Sequence, residues 1–312
     1  MKFAMRTTRI IAVGWAVTLT MSVRAAPEPI GTPPAGGGTG PYPAVMLTDN
    51  TLAGYTLYRP ADLNRIKPAR LPLVAWGNGG CANVGDSARN FLMEVASHGY
   101  LVIAIGPPRP AESQNGVPPT KPGEHGSTVQ SRSAQLLAAL DWASAEDVRR
   151  GSDYFGRLDT KKTAVMGHSC GGLQALEVSS DPKISTSVIL DSGILLDPPP
   201  FPMPGVTTND KSELAKLHAP LLYLIGGPTD IAYANAADDF ARIDHVPVFM
   251  GNINVGHKGT FAEANGGAFA KVAAAWLQWQ LKHDEVAANM FVGARCGLCT
   301  DADWTVLKKH ID

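Results

Sequence analysis

The chain has 312 residues, 45% of them hydrophobic and 18% charged, with a formal net charge of −1. That size and composition suit one large α/β domain with a sizeable core. The near-neutral charge and the lack of a basic stripe argue against a nucleic acid or other polyanion as partner.

The N-terminus reads as an export signal. Lys2, Arg6 and Arg9 form a basic start, Ile10 to Val23 an apolar run, and Val23-Arg24-Ala25 a site for cleavage after Ala25. The competing reading is a membrane anchor, which needs a span of roughly twenty apolar residues. This run is shorter, and a Pro- and Gly-rich segment follows at once. The expectation is a signal peptide over 1–25, a secreted or periplasmic mature protein, and no stable membrane insertion after processing. Residues 26–45 read as a flexible leader. Its Gly36-Gly37-Gly38-Thr39-Gly40 run lacks the Lys-Ser/Thr and the upstream strand of a phosphate loop. A single α/β domain is expected over 46–312.

From Tyr55 the chain alternates strand-like and helix-like runs. Strands are expected at Tyr55–Tyr58, Leu71–Trp76, Tyr100–Ile105, Thr163–Met166, Ser187–Leu190, Leu221–Ile225 and, last, Val246–Met250. Helices are expected at Ala88–Ser97, at Ser133–Ala145, over Gly171–Ser180, from about Tyr233, and at Phe269–Leu281. Asp238 and Asp239 are expected on a solvated helix face. Strands alternating with helices imply a mostly parallel sheet covered by helices on both faces. Two segments interrupt the rhythm. Leu195 to His218 carries a proline run that no helix interior or central strand accepts. It leaves the C-terminal end of a strand, so residues 194–218 read as a pocket rim, with a solvated excursion as the alternative. The second is the tail over 284–312, with Cys296, Cys299 and Trp304.

Gly167-His168-Ser169-Cys170-Gly171 lies between a strand and a helix. A serine on such a turn is held in a strained conformation with its hydroxyl exposed. The helix N-terminus behind it offers free N–H groups to a developing oxyanion. Ser169 is therefore the expected nucleophile, and it needs a base oriented by an acid. The chain after Ser169 offers His218, His245, His257, His283 and His310 as bases. His257 lies in a short loop between the Val246–Met250 strand and the Phe269–Leu281 helix, where catalytic groups can converge. His218 and His245 precede strands, and His283 and His310 lie at or past the last helix. Two aspartates sit just past strand ends, Asp191 and Asp230. Asp230 is the expected acid and Asp191 a carboxylate that organises the pocket. The oxyanion donors are expected to be the Cys170 N–H and one from the loop Gly77 to Asn83, with Gly80 and Cys81 left as alternatives.

The segments W-G-N-G-G-C, G-H-S-C-G-G, I-G-G-x-x-D and V-G-H-x-G-T follow one another in this order. Together they resemble the α/β-hydrolase superfamily over about residues 50–282. The nearest branches are the dienelactone-hydrolase-like and the polyester-hydrolase or cutinase-like secreted serine esterases. True dienelactone hydrolases carry a cysteine where this chain has Ser169. Cutinase-type polyester hydrolases place an aromatic residue in the oxyanion loop and a methionine after the serine. Here Gly80 or Cys81 and Cys170 stand in those places, a departure that bears on polymer substrates and leaves ester hydrolysis intact.

Four cysteines remain after the export signal, an even count that suggests disulfides. Two donors that converge on one oxygen have their backbones close, so Cys81 and Cys170 come within disulfide reach. Two buried thiols are the alternative. Cys296 and Cys299 are expected to pair within the tail. There is no H-E-x-x-H, and a lone C-x-x-C lacks the four ligands of a structural zinc site. The reading is an exported serine hydrolase acting on a small-molecule or polymeric ester, with no cofactor or metal. A secreted peptidase or amidase with the same triad is the runner-up, and a silent binding protein on this fold a third reading.

Overall fold

A computed structural model describes residues 1, 37–110, 130–197, 205–207 and 209–312. The export signal, residues 26–36 of the leader, most of the loop after Gly106 and the proline run at 198–204 lie outside the described residues. The strands in chain order are β1 (Ala44–Leu47), β2 (Tyr55–Pro60), β3 (Leu71–Gly77), β4 (Leu101–Ile105), β5 (Leu158–His168), β6 (Thr186–Leu190), β7 (Leu221–Ile225), β8 (Val248–Ile253) and β9 (Trp304–Lys309). The main helices are α1 (Arg89–Ser97), α2 (Ala134–Val148), α3 (Cys170–Val178), α4 (Tyr233–Arg242), α5 (Gly267–Lys282) and the short α6 (Glu285–Ala288).

These strands make one sheet in the order β1-β2-β4-β3-β5-β6-β7-β8-β9. β3 to β8 run parallel, while β1 and β2 at one edge and β9 at the other are antiparallel to their neighbours. The parallel strands read as unbroken apolar runs because both faces are buried. Leu73, Ala75, Val165, Ile189, Tyr223 and Met250 point into one layer, against α2, α3 and α4. The alternate positions Val74, Trp76, Met166, Val188, Leu222 and Phe249 point into the other, against α1 and α5. The period of two along each strand therefore feeds two separate cores. The parallel part starts at β3, adds β4 on one side, crosses back, and builds β5 to β8 on the other. That reversal opens a crevice at the C-terminal ends of β3 and β5, where ligands bind in open α/β sheets.

Two edge strands escape the sequence reading. β1 begins at Ala44, two residues inside the segment read as leader. Val248–Ile253 is not the last strand, because the tail adds β9, pairing Trp304 with Ile253 and Lys309 with Val248. β9 is half-buried, with Thr305 and Leu307 exposed, so it lacks the dense apolar run of the central strands. It is fixed by tertiary contacts instead. Trp304 packs on Gly251, and Lys309 Nζ donates to the carbonyls of Phe240 (2.8 Å) and Ile243 (2.8 Å) at the end of α4. A cation there meets the negative end of the helix.

Asp239 also departs from expectation, since it is fully buried rather than solvated. Its carboxylate accepts from Lys211 Nζ at 2.6 Å and from the Ile194 N–H at 2.9 Å. Burial raises this carboxyl to about 6, against the opposing pull of Lys211. Periodicity within α4 shows nothing of this, because the partners, Ile194 and Lys211, lie far from Asp239 in sequence. Among the described residues no helix is long and apolar enough to cross a membrane.

Candidate active site

Ser169 sits on the turn between β5 and α3 with φ 52° and ψ −121°. A non-glycine residue at positive φ is strained, and here several contacts hold it. Its N–H donates to the Leu190 carbonyl at 2.9 Å, and its own carbonyl accepts from Ser192 Oγ at 2.7 Å. The flanking glycines are required by close approach. A Cβ at Gly171 would lie 2.1 Å from the Gly77 carbonyl, and one at Gly167 2.1 Å from the Gly171 carbonyl oxygen. Backbone against backbone has no room to yield, so β3, β5 and α3 meet at this point only without side chains.

His257 lies in the loop between β8 and α5, and Asp230 in the loop between β7 and α4. His257 Nε2 is 2.9 Å from Ser169 Oγ, and His257 Nδ1 is 2.6 Å from Asp230 Oδ1. The Asp230 carboxylate also accepts the N–H groups of Ala232 (2.9 Å) and Gly226 (3.2 Å). Burial pushes the Asp230 carboxyl up, but the bonds from His257 and these N–H groups, with its contact to Asp191, outweigh it and hold the group below its ordinary value. An ionised Asp230 fixes the tautomer with the proton on Nδ1, which leaves Nε2 free to accept from Ser169.

The loop after β3 is organised by Asn78, a buried residue that the sequence reading passes over. Its Oδ1 accepts from Trp76 Nε1 (2.9 Å) and Ser87 Oγ (2.8 Å), and its Nδ2 donates to the carbonyls of Ile105 (2.7 Å) and Ala82 (3.0 Å). All four positions of the amide are used, which fixes the loop. Gly80 and Cys81 follow, both at positive φ (64° and 50°). Gly80 borders the cavity beside Ser169 and Cys170, whereas Cys81 is fully buried. Cys81 is paired with Cys170 at a Cα separation of 5.1 Å, and Cys296 with Cys299 at 4.9 Å.

Two further residues lie beside the site. The His168 ring lies 4.7 Å from the Phe261 ring, and its Nε2–H donates to the His257 carbonyl at 2.9 Å. Burial pushes the His168 imidazole down to about 4, so it stays neutral. The signal for it was its place beside Ser169, but its partner is 89 residues away in sequence. The other is Asp191, at φ 44° and with no solvent exposure, on the cavity wall.

The cavity is open, about 360 Å³, and Leu173, Leu195 and Ile231 supply its apolar lining. Among the described residues neither Lys nor Arg lines it, and Ile231 is 77% exposed. Among the described residues no cluster of His, Cys, Asp and Glu is arranged to hold a metal ion.

A family model described as PETase, PET hydrolase-like, matches residues 86–191, the stretch that runs from α1 through the Ser169 elbow to the end of β6. No curated protein is similar enough to this chain to match it. With the parallel sheet and the match together, the chain has the α/β-hydrolase fold, and the family whose model it matches over that stretch is one of ester-hydrolysing enzymes.

Proposed function

We propose that this chain is an exported serine hydrolase that cleaves carboxylic esters through an acyl-enzyme on Ser169. The observation that carries the reading is the continuous chain Ser169 Oγ–His257 Nε2–His257 Nδ1–Asp230 Oδ1, at 2.9 and 2.6 Å, at the mouth of the cavity. His257 takes the serine proton as Ser169 Oγ attacks the ester carbonyl carbon. Asp230 stabilises the imidazolium that forms, without itself taking the proton. The tetrahedral oxyanion is received by the Cys170 N–H at the start of α3 and by the Gly80 N–H, since Gly80 rather than Cys81 faces the cavity. The C–O bond to the alcohol then breaks, and His257 returns its proton to the departing oxygen. Water, activated by His257 in turn, attacks the acyl-enzyme and releases the acid.

The substrate class follows from the lining. A cavity with apolar walls and, among the described residues, no cationic side chain favours a neutral ester whose acyl or alcohol part is apolar. The match to a PET hydrolase-like family supports the same chemistry. Export is supported by the apolar N-terminal run and by the two cysteine pairs, which persist in oxidising compartments. The domain plan proposed is a signal peptide over 1–25, a leader to about 45, and the hydrolase domain from there to 312, with 194–218 as a pocket rim.

A panel of p-nitrophenyl esters of rising acyl length, run beside matched p-nitroanilides, tests the reading. Esters are expected to turn over at least a hundredfold faster than anilides, roughly the span of a lost transition-state contact. Equal turnover of anilides would favour an amidase, and no turnover of either would contradict the assignment.

A further inference from the structure

Asp191 has no role in the steps above, yet its environment is unusual for a carboxylate. Its side chain is fully buried, and neither carboxyl oxygen has a hydrogen-bond donor among the described residues. The nearest donors are engaged elsewhere. The Gly226 N–H binds Asp230 at 3.2 Å and only faces Asp191, a weak pull against its burial, and the His168 Nε2–H binds the His257 carbonyl, leaving Nε2 3.7 Å from Asp191 Oδ2. The ionisable groups facing Asp191 are Asp230 from the β7–α4 loop, His168 from β5 and His257 from the β8–α5 loop. His168 is neutral, and among the described residues no Lys or Arg pairs with Asp191. An ionised carboxylate placed there would be buried, unpaired and beside the charge of Asp230, each of which is costly. One proton removes all three difficulties. The Gly226 N–H faces both carboxyls, which places Asp230 beside Asp191, so a protonated Asp191 has an acceptor at hand.

We propose that Asp191 is kept as a neutral carboxylic acid whose O–H donates to the Asp230 carboxylate, making it a positioning residue for the triad. The proposal rests on the Ser169–His257–Asp230 reading. Asp230 then accepts from His257, from two backbone N–H groups and from Asp191, so its orientation is set from every side. Burial, and next the contact with Asp230, raise the Asp191 carboxyl to about 9. Asp191 also holds φ at 44°, a strained state for a residue other than glycine.

The sign of the pH dependence follows. An unfolded aspartate loses its proton near about pH 4, whereas folded Asp191 keeps it to about 9. Between those values the folded state holds one more proton, so rising pH erodes stability through this residue. Asp191→Asn keeps a donor toward Asp230 and does not titrate. Its melting temperature relative to wild type is therefore expected to climb steadily from about pH 5 to about pH 9.

The experiment measures melting of wild type and Asp191→Asn across that range, together with kcat/KM on p-nitrophenyl acetate to about pH 10 for these two and for Asp191→Leu. Near neutral pH Asp191→Asn is expected within about threefold of wild type, and Asp191→Leu, which has no donor, more than about tenfold lower. The wild-type rate is expected to fall as Asp191 ionises, and this basic limb is expected to be missing in Asp191→Asn. A melting difference that stays constant with pH, or a basic limb shared by wild type and Asp191→Asn, would overturn the proposal. Failure of the triad reading shows separately, as full activity in Asp230→Asn, and leaves the melting readout untouched.

Discussion

Two regions of this molecule use the same rare backbone state for different ends. Past the C-terminal ends of β3, β5 and β6, Cys81, Ser169 and Asp191 hold φ at 50°, 52° and 44°. At the opposite end of the chain, His283 takes φ 57° where α5 stops. There the left-handed turn is a helix terminator, with the N–H groups of His283 and Asp284 returning to the Trp279 and Gln278 carbonyls at 3.0 and 3.2 Å. Local hydrogen bonds repay that strain. At the strand ends the turns are tied across the sheet instead, Ser169 N–H to the Leu190 carbonyl at 2.9 Å and Asp191 N–H to the Leu224 carbonyl at 2.8 Å, and they set Ser169 and Gly80 at the cavity and bury the Asp191 carboxyl. Strain held by long-range contacts rather than by a helix end points to a site. The cysteine pairs repeat the contrast. Cys81–Cys170 ties two strand ends 89 residues apart across the site, while Cys296–Cys299 closes a turn of separation 3 in the tail.

If the strand ends are the working region, substitutions there should remove activity and leave the fold, and tail substitutions should do the reverse. The largest effect is expected from Ser169→Ala, a fall in turnover of roughly a millionfold by analogy with dissected serine hydrolases. Retention of more than about a tenth of the activity would end its role as nucleophile. Asp230→Asn follows, with a loss on the order of ten-thousandfold as the imidazole tautomer is lost. Steady-state kinetics of Asp230→Asn beside Asp191→Asn checks it, and a dead Asp191→Asn with a mild Asp230→Asn would exchange the two roles. Reduction of Cys81–Cys170 should lower both activity and stability, because the pair ties the proposed Cys170 donor to the residue after Gly80. The chain-entropy contribution of so long a loop is about 4–5 kcal/mol, read by denaturant melts of the Cys81→Ser/Cys170→Ser chain. Full activity of that chain would separate the link from the oxyanion site. The smallest effect is expected at Cys296→Ser/Cys299→Ser, about 1–2 kcal/mol at most and no change in kcat/KM. A loss of activity there would blur the division between the two regions.

The centre of the sheet is legible in the sequence because strands buried on both faces leave dense apolar runs, as in Leu71–Gly77 and Leu221–Ile225. The residues that meet at the site are legible for a related reason. Ser169, Asp191, Asp230 and His257 each lie close past such a run, so chain position alone sends them to one end of the sheet. The edges are not legible: β9 is half-exposed and is held by Trp304 and Lys309 against partners distant in sequence. Nor are the braces. Asn78 reads as a turn former, and only the fold shows its amide saturated by Trp76, Ser87, Ile105 and Ala82. Asp239 reads as solvated because Lys211, its counter-charge, arrives from a segment without periodicity. Long-range polar pairs leave no pattern in a single chain.

The most direct measurement is mass mapping of the covalent adduct formed with a fluorophosphonate probe, on the mature chain and on Ser169→Ala. One adduct per chain is expected, on the peptide that holds Ser169, with none in the variant. Labelling should slow in Asp230→Asn, because the serine is activated through His257. An unlabelled mature chain, or the same adduct on another residue in Ser169→Ala, would contradict the assignment of Ser169 as the nucleophile.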